Sequence, residues 1–160
     1  MKKLCFAFLA IFIFQTTVHA NLNANDSLLN VPAGSVFTFT KDIVIPANKN
    51  TILLGSSKAG SFITECYLAV NRLDINNRQI KSGTKYYVRD TAEGFNSKVD
   101  LLFDSKSVQS IACESYNYRI SQSSLPSEYD IAAPKLSQAQ KAMRGIVKLE
   151  INKELKVIND

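Results

Sequence analysis

Two cysteines, Cys66 and Cys113, each set in a segment whose apolar residues recur at every second position, constrain this chain more than any other feature. Phe62, Thr64, Cys66, Leu68 and Val70 fall on one face of a strand-like stretch, and Ile63, Glu65, Tyr67, Ala69 and Asn71 fall on the other. In residues 108–113, Ile111 and Cys113 share a face, with Ser110 and Ala112 on the reverse. Both thiols therefore point to faces that carry apolar bulk, and they are expected to meet in the core as a disulfide. The bridge would close a loop of 47 positions, which the chain-entropy account values at about 4 kcal/mol. For a small domain that is a large part of net stability.

Oxidation needs the right compartment, and the first twenty residues address this. Lys2 and Lys3 make a basic start, residues 4–14 are an uninterrupted apolar run, and Val18-His19-Ala20 places small residues where a signal peptidase reads them. Residues 1–20 thus read as a secretory signal, and the location as periplasmic or secreted. Retention as an anchor is not expected, because eleven apolar residues fall well short of the roughly 20 that span a bilayer. Cys5 precedes the apolar run, so it is no lipoprotein cysteine and leaves with the signal.

Cleavage changes the inventory. Residues 21–160 form a single exported β-rich domain of 140 residues, long enough to bury a real core. Lys2 and Lys3 are two of the nineteen Lys and Arg, so seventeen remain against fourteen acids, a mildly basic balance. Lys81, Lys85, Arg89, Lys98 and Lys106 are interleaved with acids, the pattern of a solvated surface, and nucleic acid is not an expected partner. His19, the one histidine, also leaves. Without imidazole there is no Ser-His-Asp or Cys-His arrangement and no histidine ligand for zinc, copper or haem. No cofactor or metal is expected.

The remaining chain has the rhythm of short strands and turns. Phe37 and Phe39 alternate with Thr38 and Thr40 behind the turn at Pro32-Ala33-Gly34-Ser35, and Ile43-Val44-Ile45 resumes the strand until Pro46 stops it. Ile52-Leu53-Leu54 is a short apolar run followed by a Gly/Ser/Lys loop over residues 55–60. Asn76-Asn77 suits a tight hairpin turn. Residues 84–89 read as a strand with Tyr86 and Val88 on one side and Tyr87 on the other, residues 90–97 as a loop, and Val99, Leu101 and Phe103 as one face of another strand. Elements at intervals of about ten residues imply a small antiparallel β sandwich or barrel. Tyr116, Tyr118 and Ile120 share a face that could extend the sheet, and the two tyrosines are candidate partner contacts.

The C-terminal quarter differs in character. Residues 122–136 read as a linker, and Ser137-Gln138-Ala139-Gln140 fits a capping box for a short helix over about 138–144, stopped by Gly145. A hairpin is then expected, with Ile151 opposite Leu155 and Leu149 opposite Val157 around Asn152-Lys153-Glu154. The alternative is one long amphipathic helix, since Met143, Val147, Ile151, Leu155 and Ile158 also recur at helical spacing.

Function is constrained mainly by exclusion. The reading that asks for no special residues is a non-catalytic binding or inhibitory module acting on an envelope or extracellular macromolecule, a protein or a glycan, through loops near residues 55–60 and 90–97. An envelope-assembly component that pairs through a sheet edge is the first alternative. A glycan hydrolase using two carboxylates among Asp74, Asp90, Glu93 and Asp100 is the second.

Overall fold

Where one face of the chain is apolar, period-two alternation resolves into strands. A computed structural model describes residues 18–19, 22–71, 78–117 and 132–155, and within them eleven strands and one α-helix. These are β1 (Val18–His19), β2 (Val36–Phe39), β3 (Ile43–Val44), β4 (Thr51–Ala59), β5 (Phe62–Val70), β6 (Gln79–Ile80), β7 (Lys85–Glu93), β8 (Val99–Phe103), β9 (Val108–Asn117), α1 (Leu136–Ala142), β10 (Val147–Glu150) and β11 (Glu154–Leu155). Seven of the strands form one antiparallel sheet in the order β10-β2-β7-β8-β9-β5-β4, curled into a half-barrel. β3 pairs with β6 and β1 with β11 outside it. The expected antiparallel β architecture is thus present as a single curled sheet.

The core fills the inner face of the curl. Phe37 and Phe39 are fully buried, and Phe37 meets Phe103 edge-on at 5.5 Å between ring centroids. Tyr86 joins this cluster against Phe39 at 5.8 Å, while Tyr87 on the reverse face is exposed. Cys66, Leu68, Leu101 and Ile111 lie beside the aromatics with no measurable exposure. Two elements close the inner face: α1 packs on β4 and β5, and a 3-10 turn over Leu28–Asn30 packs on β7 and β8.

That turn belongs to the polar lead-in ahead of β2. Ser27 Oγ accepts the Leu29 N–H at 3.2 Å, and Leu28 is completely buried. The lead-in also fixes the start of α1, because the Leu136 N–H donates to the Asp26 carbonyl at 2.9 Å and the Ser137 N–H to that of Ala24 at 3.0 Å. The helix therefore begins at Leu136, two residues before the expected start. Its N-cap is Lys135 and not Ser137, with the Lys135 N–H donating to Gln138 Oε1 at 2.9 Å. Pro134 and Leu136 are buried, so the end of the expected linker is core structure.

Two expected loops are strand. β4 continues through residues 55–59 because Ser57, though polar, turns inward and donates its hydroxyl to the Gln138 carbonyl at 2.8 Å. β7 continues to Glu93, which pairs with Val99, and the turn is confined to the residues after it.

At the C-terminus α1 ends at Ala142, and Gly145 takes the left-handed conformation, φ 76°, that favours glycine. Val147–Glu150 is then a strand, which overturns the long amphipathic helix. Its partner is β2, with Leu149 opposite Phe37, whereas Leu155 pairs with Val18. Residues 1–17 and 20 of the expected signal, residue 21 after it, the Asn76-Asn77 turn, residues 122–131 of the expected linker and Val157 lie outside the described residues. Among the described residues no helix is long and apolar enough to cross a membrane.

Candidate functional site

Cys66 and Cys113 are joined by a disulfide, and they stand directly opposite each other on β5 and β9 with Cα atoms 4.1 Å apart. Both are fully buried, and Cys66 lies under α1, its Sγ 4.0 Å from the Ala139 carbonyl oxygen. This bond sets everything on the reverse face of the same strands.

Antiparallel register pairs Glu65 with Glu114, Tyr67 with Ala112 and Ile63 with Tyr116 on the outer face. All but Ala112 are half-buried. Ala112 is 3% exposed, since its small side chain sits between the larger neighbours Tyr67 on β5 and Asp100 on β8. Two like charges directly across a sheet repel. Here Glu65 is offset by phenols: the Tyr67 hydroxyl donates to its carboxylate. Burial pushes the Tyr67 phenol up first, then the hydrogen bond to Glu65 and the charges of Glu65 and Glu114 push it further. Tyr116 is raised by burial, then by the charge of Glu65 and a hydrogen bond to it. One carboxylate thus acts on two tyrosines that flank it along neighbouring strands.

Of the expected contact residues, Tyr116 lies in this patch and Tyr118 lies outside the described residues. Neither Glu65 nor Glu114 stands out within its own segment of the sequence, although their spacing from the cysteines carries a signal. Glu65 is one residue before one cysteine and Glu114 one residue after the other, so a directly opposed antiparallel cysteine pair brings the two acids opposite each other.

The carboxylates considered for hydrolysis are arranged differently. Asp90 and Asp100 lie on the same outer face of adjacent strands, Asp90 opposite Leu102 and Asp100 opposite Ala92. Asp100 Oδ1 is 3.5 Å from Lys98 Nζ and accepts from Ser110 Oγ at 3.4 Å, while Asp90 Oδ1 accepts the Thr91 N–H at 2.8 Å. Glu93 pairs with the inward Val99, so it belongs to the opposite face. Asp74 lies outside the described residues. Among the described residues no group of three or more His, Cys, Asp or Glu could hold a metal ion. No protein family, no curated protein and no solved structure matches this chain.

Proposed function

We infer that this chain is an exported, non-catalytic binding or inhibitory module, and that it engages an envelope or extracellular macromolecule through the outer face of β5 and β9. The observation that carries the reading is Glu65 set between Tyr67 and Tyr116 and opposite Glu114. Tyrosine supplies large contact area at low entropic cost with a polar tip, and is enriched where proteins meet partners. Half-buried carboxylates among such rings favour a partner that presents lysine or arginine. The strands beneath are covalently joined, so the surface is preorganised and loses little freedom on binding.

The test uses the protein as bait on an envelope fraction, beside Glu65→Lys/Glu114→Lys and Tyr116→Ala. The expected result is a dominant partner that raised salt releases and that both variants lose while keeping the native thermal melt. Capture of the same partner by the charge-reversed protein would refute the placement on this face.

A second reading, the envelope-assembly component, is favoured by the edge strand β4, which among the described residues pairs with no strand but β5. The two readings separate by the surface that holds the envelope partner: the outer face of β5 and β9 in the first, this edge in the second.

A further inference from the structure

Among the described residues the seven-stranded sheet does not close, and its two edges are β10 and β4. They differ in how they are guarded. β10 is four residues long and carries the exposed ion pair Lys148–Glu150, at 2.7 Å. Short length and charge are the ordinary protections of a sheet edge. β4 is nine residues long, contains no proline, and is uncharged from Thr51 through Ser57, with Leu53 50% exposed.

The backbone of β4 can be oriented from the disulfide. A Cα separation of 4.1 Å marks Cys66–Cys113 as a narrow, non-hydrogen-bonded pair. The Cys66 N–H and C=O therefore point away from β9 and toward Gly55 of β4. Alternation then turns the N–H and C=O groups of Leu53 and Ser56 outward. Among the described residues no backbone hydrogen bond from any strand but β5 reaches them.

We propose that two copies of this chain join edge to edge through β4, antiparallel about a two-fold axis crossing the middle of the strand. The guarded β10 edge disfavours head-to-tail pairing of β4 with β10, which would generate open filaments, whereas pairing of β4 with itself closes at two copies. In that arrangement the Lys58 end of each strand lies beside the Thr51 end of its copy. The lysines stay apart and the uncharged residues face one another. The pairing goes beyond the binding reading: it continues the outer face from one copy into the next.

The test is sedimentation of the disulfide-closed protein across a concentration series, with amide hydrogen exchange at Leu53 and Ser56. A monomer–dimer equilibrium is expected, with both amides slowing as dimer forms. Leu53→Lys should weaken the dimer by at least about tenfold by bringing like charges to the axis, with the thermal melt retained. Ser56→Lys serves the same purpose if Leu53→Lys fails to fold, and Lys148→Gln on the other edge should leave the dimer intact. A monomer at every concentration, a dimer indifferent to both edge lysines, or growth of open-ended polymers would each overturn the proposal.

Discussion

Gly55 and Ala142 approach so closely that a Cβ built on Gly55 would lie 2.2 Å from the Ala142 carbonyl oxygen. The end of α1 thus rests on bare backbone of β4. Backbone cannot give way as a flexible side chain can, so Gly55→Ala must lift the helix or bend the strand. A loss of about 2 to 3 kcal/mol is expected in denaturant unfolding. Ser56→Ala, one residue along on the exposed face, is expected to stay within about 0.5 kcal/mol, and equal losses at the two positions would show that the close approach does not matter.

The disulfide lends itself to a covalent and a thermodynamic measurement. Because Cys66 and Cys113 are fully buried, alkylation is expected only after both unfolding and reduction. Cys66→Ala/Cys113→Ala should lose about 4 kcal/mol on the chain-entropy account, read as a shift of the urea midpoint. Two free thiols by mass spectrometry of protein from an oxidising compartment would contradict the pairing.

Strand β10 is checked by alternation. Val147 is buried and Leu149 packs on the core, while Lys148 between them is exposed. Val147→Asp should cost about 3 kcal/mol and Leu149→Asp about 2 kcal/mol through burial of an unpaired charge. Lys148→Gln removes only an exposed ion pair and should stay within about 0.5 kcal/mol. Thermal melts that put the loss at position 148 would move the strand by one residue.

The tyrosine pair predicts how stability responds to alkali. Tyr67 and Tyr116 hold their protons more tightly in the folded chain than the ordinary phenol value of about 10. Their contribution is therefore fully present below that value and is lost as pH rises through the higher folded values. Tyrosinate absorbance should show a late-ionising fraction in the folded protein, and Tyr67→Phe should shrink it and flatten the fall in melting temperature above about pH 10. A titration in which every tyrosine ionises at the ordinary value would refute the environment described for Glu65.

Much of this fold is legible where apolar residues alternate. Phe37 with Phe39, and Val99 with Leu101 and Phe103, are read from the sequence on the faces they occupy. The extent of β4 is not, because serine, glycine and lysine signal a loop when the strand's inward polar groups have unseen partners. Ser57 finds the Gln138 carbonyl 81 residues away, and Thr64 Oγ1 finds Ser115 Oγ at 3.1 Å across to β9. The start of α1 is similarly non-local, being set by bonds to Ala24 and Asp26. At the candidate site Tyr116 is visible as a face residue, but its relation to Glu65 depends on a strand pairing that no single segment encodes.

The position of the disulfide has a consequence for the acids beside it. Glu65 and Glu114 repel across one rung of the ladder, and strands free to slide would relax by moving them out of opposition. A slip of one residue would also expose the apolar set, so two residues is the smallest shift that keeps the faces. Such a shift would carry the sulfurs of the adjoining rung about 7 Å apart along the strand axis, which a single S–S bond cannot span. The covalent link therefore works as a register pin, keeping two anions side by side in a place the sheet alone would tend to vacate.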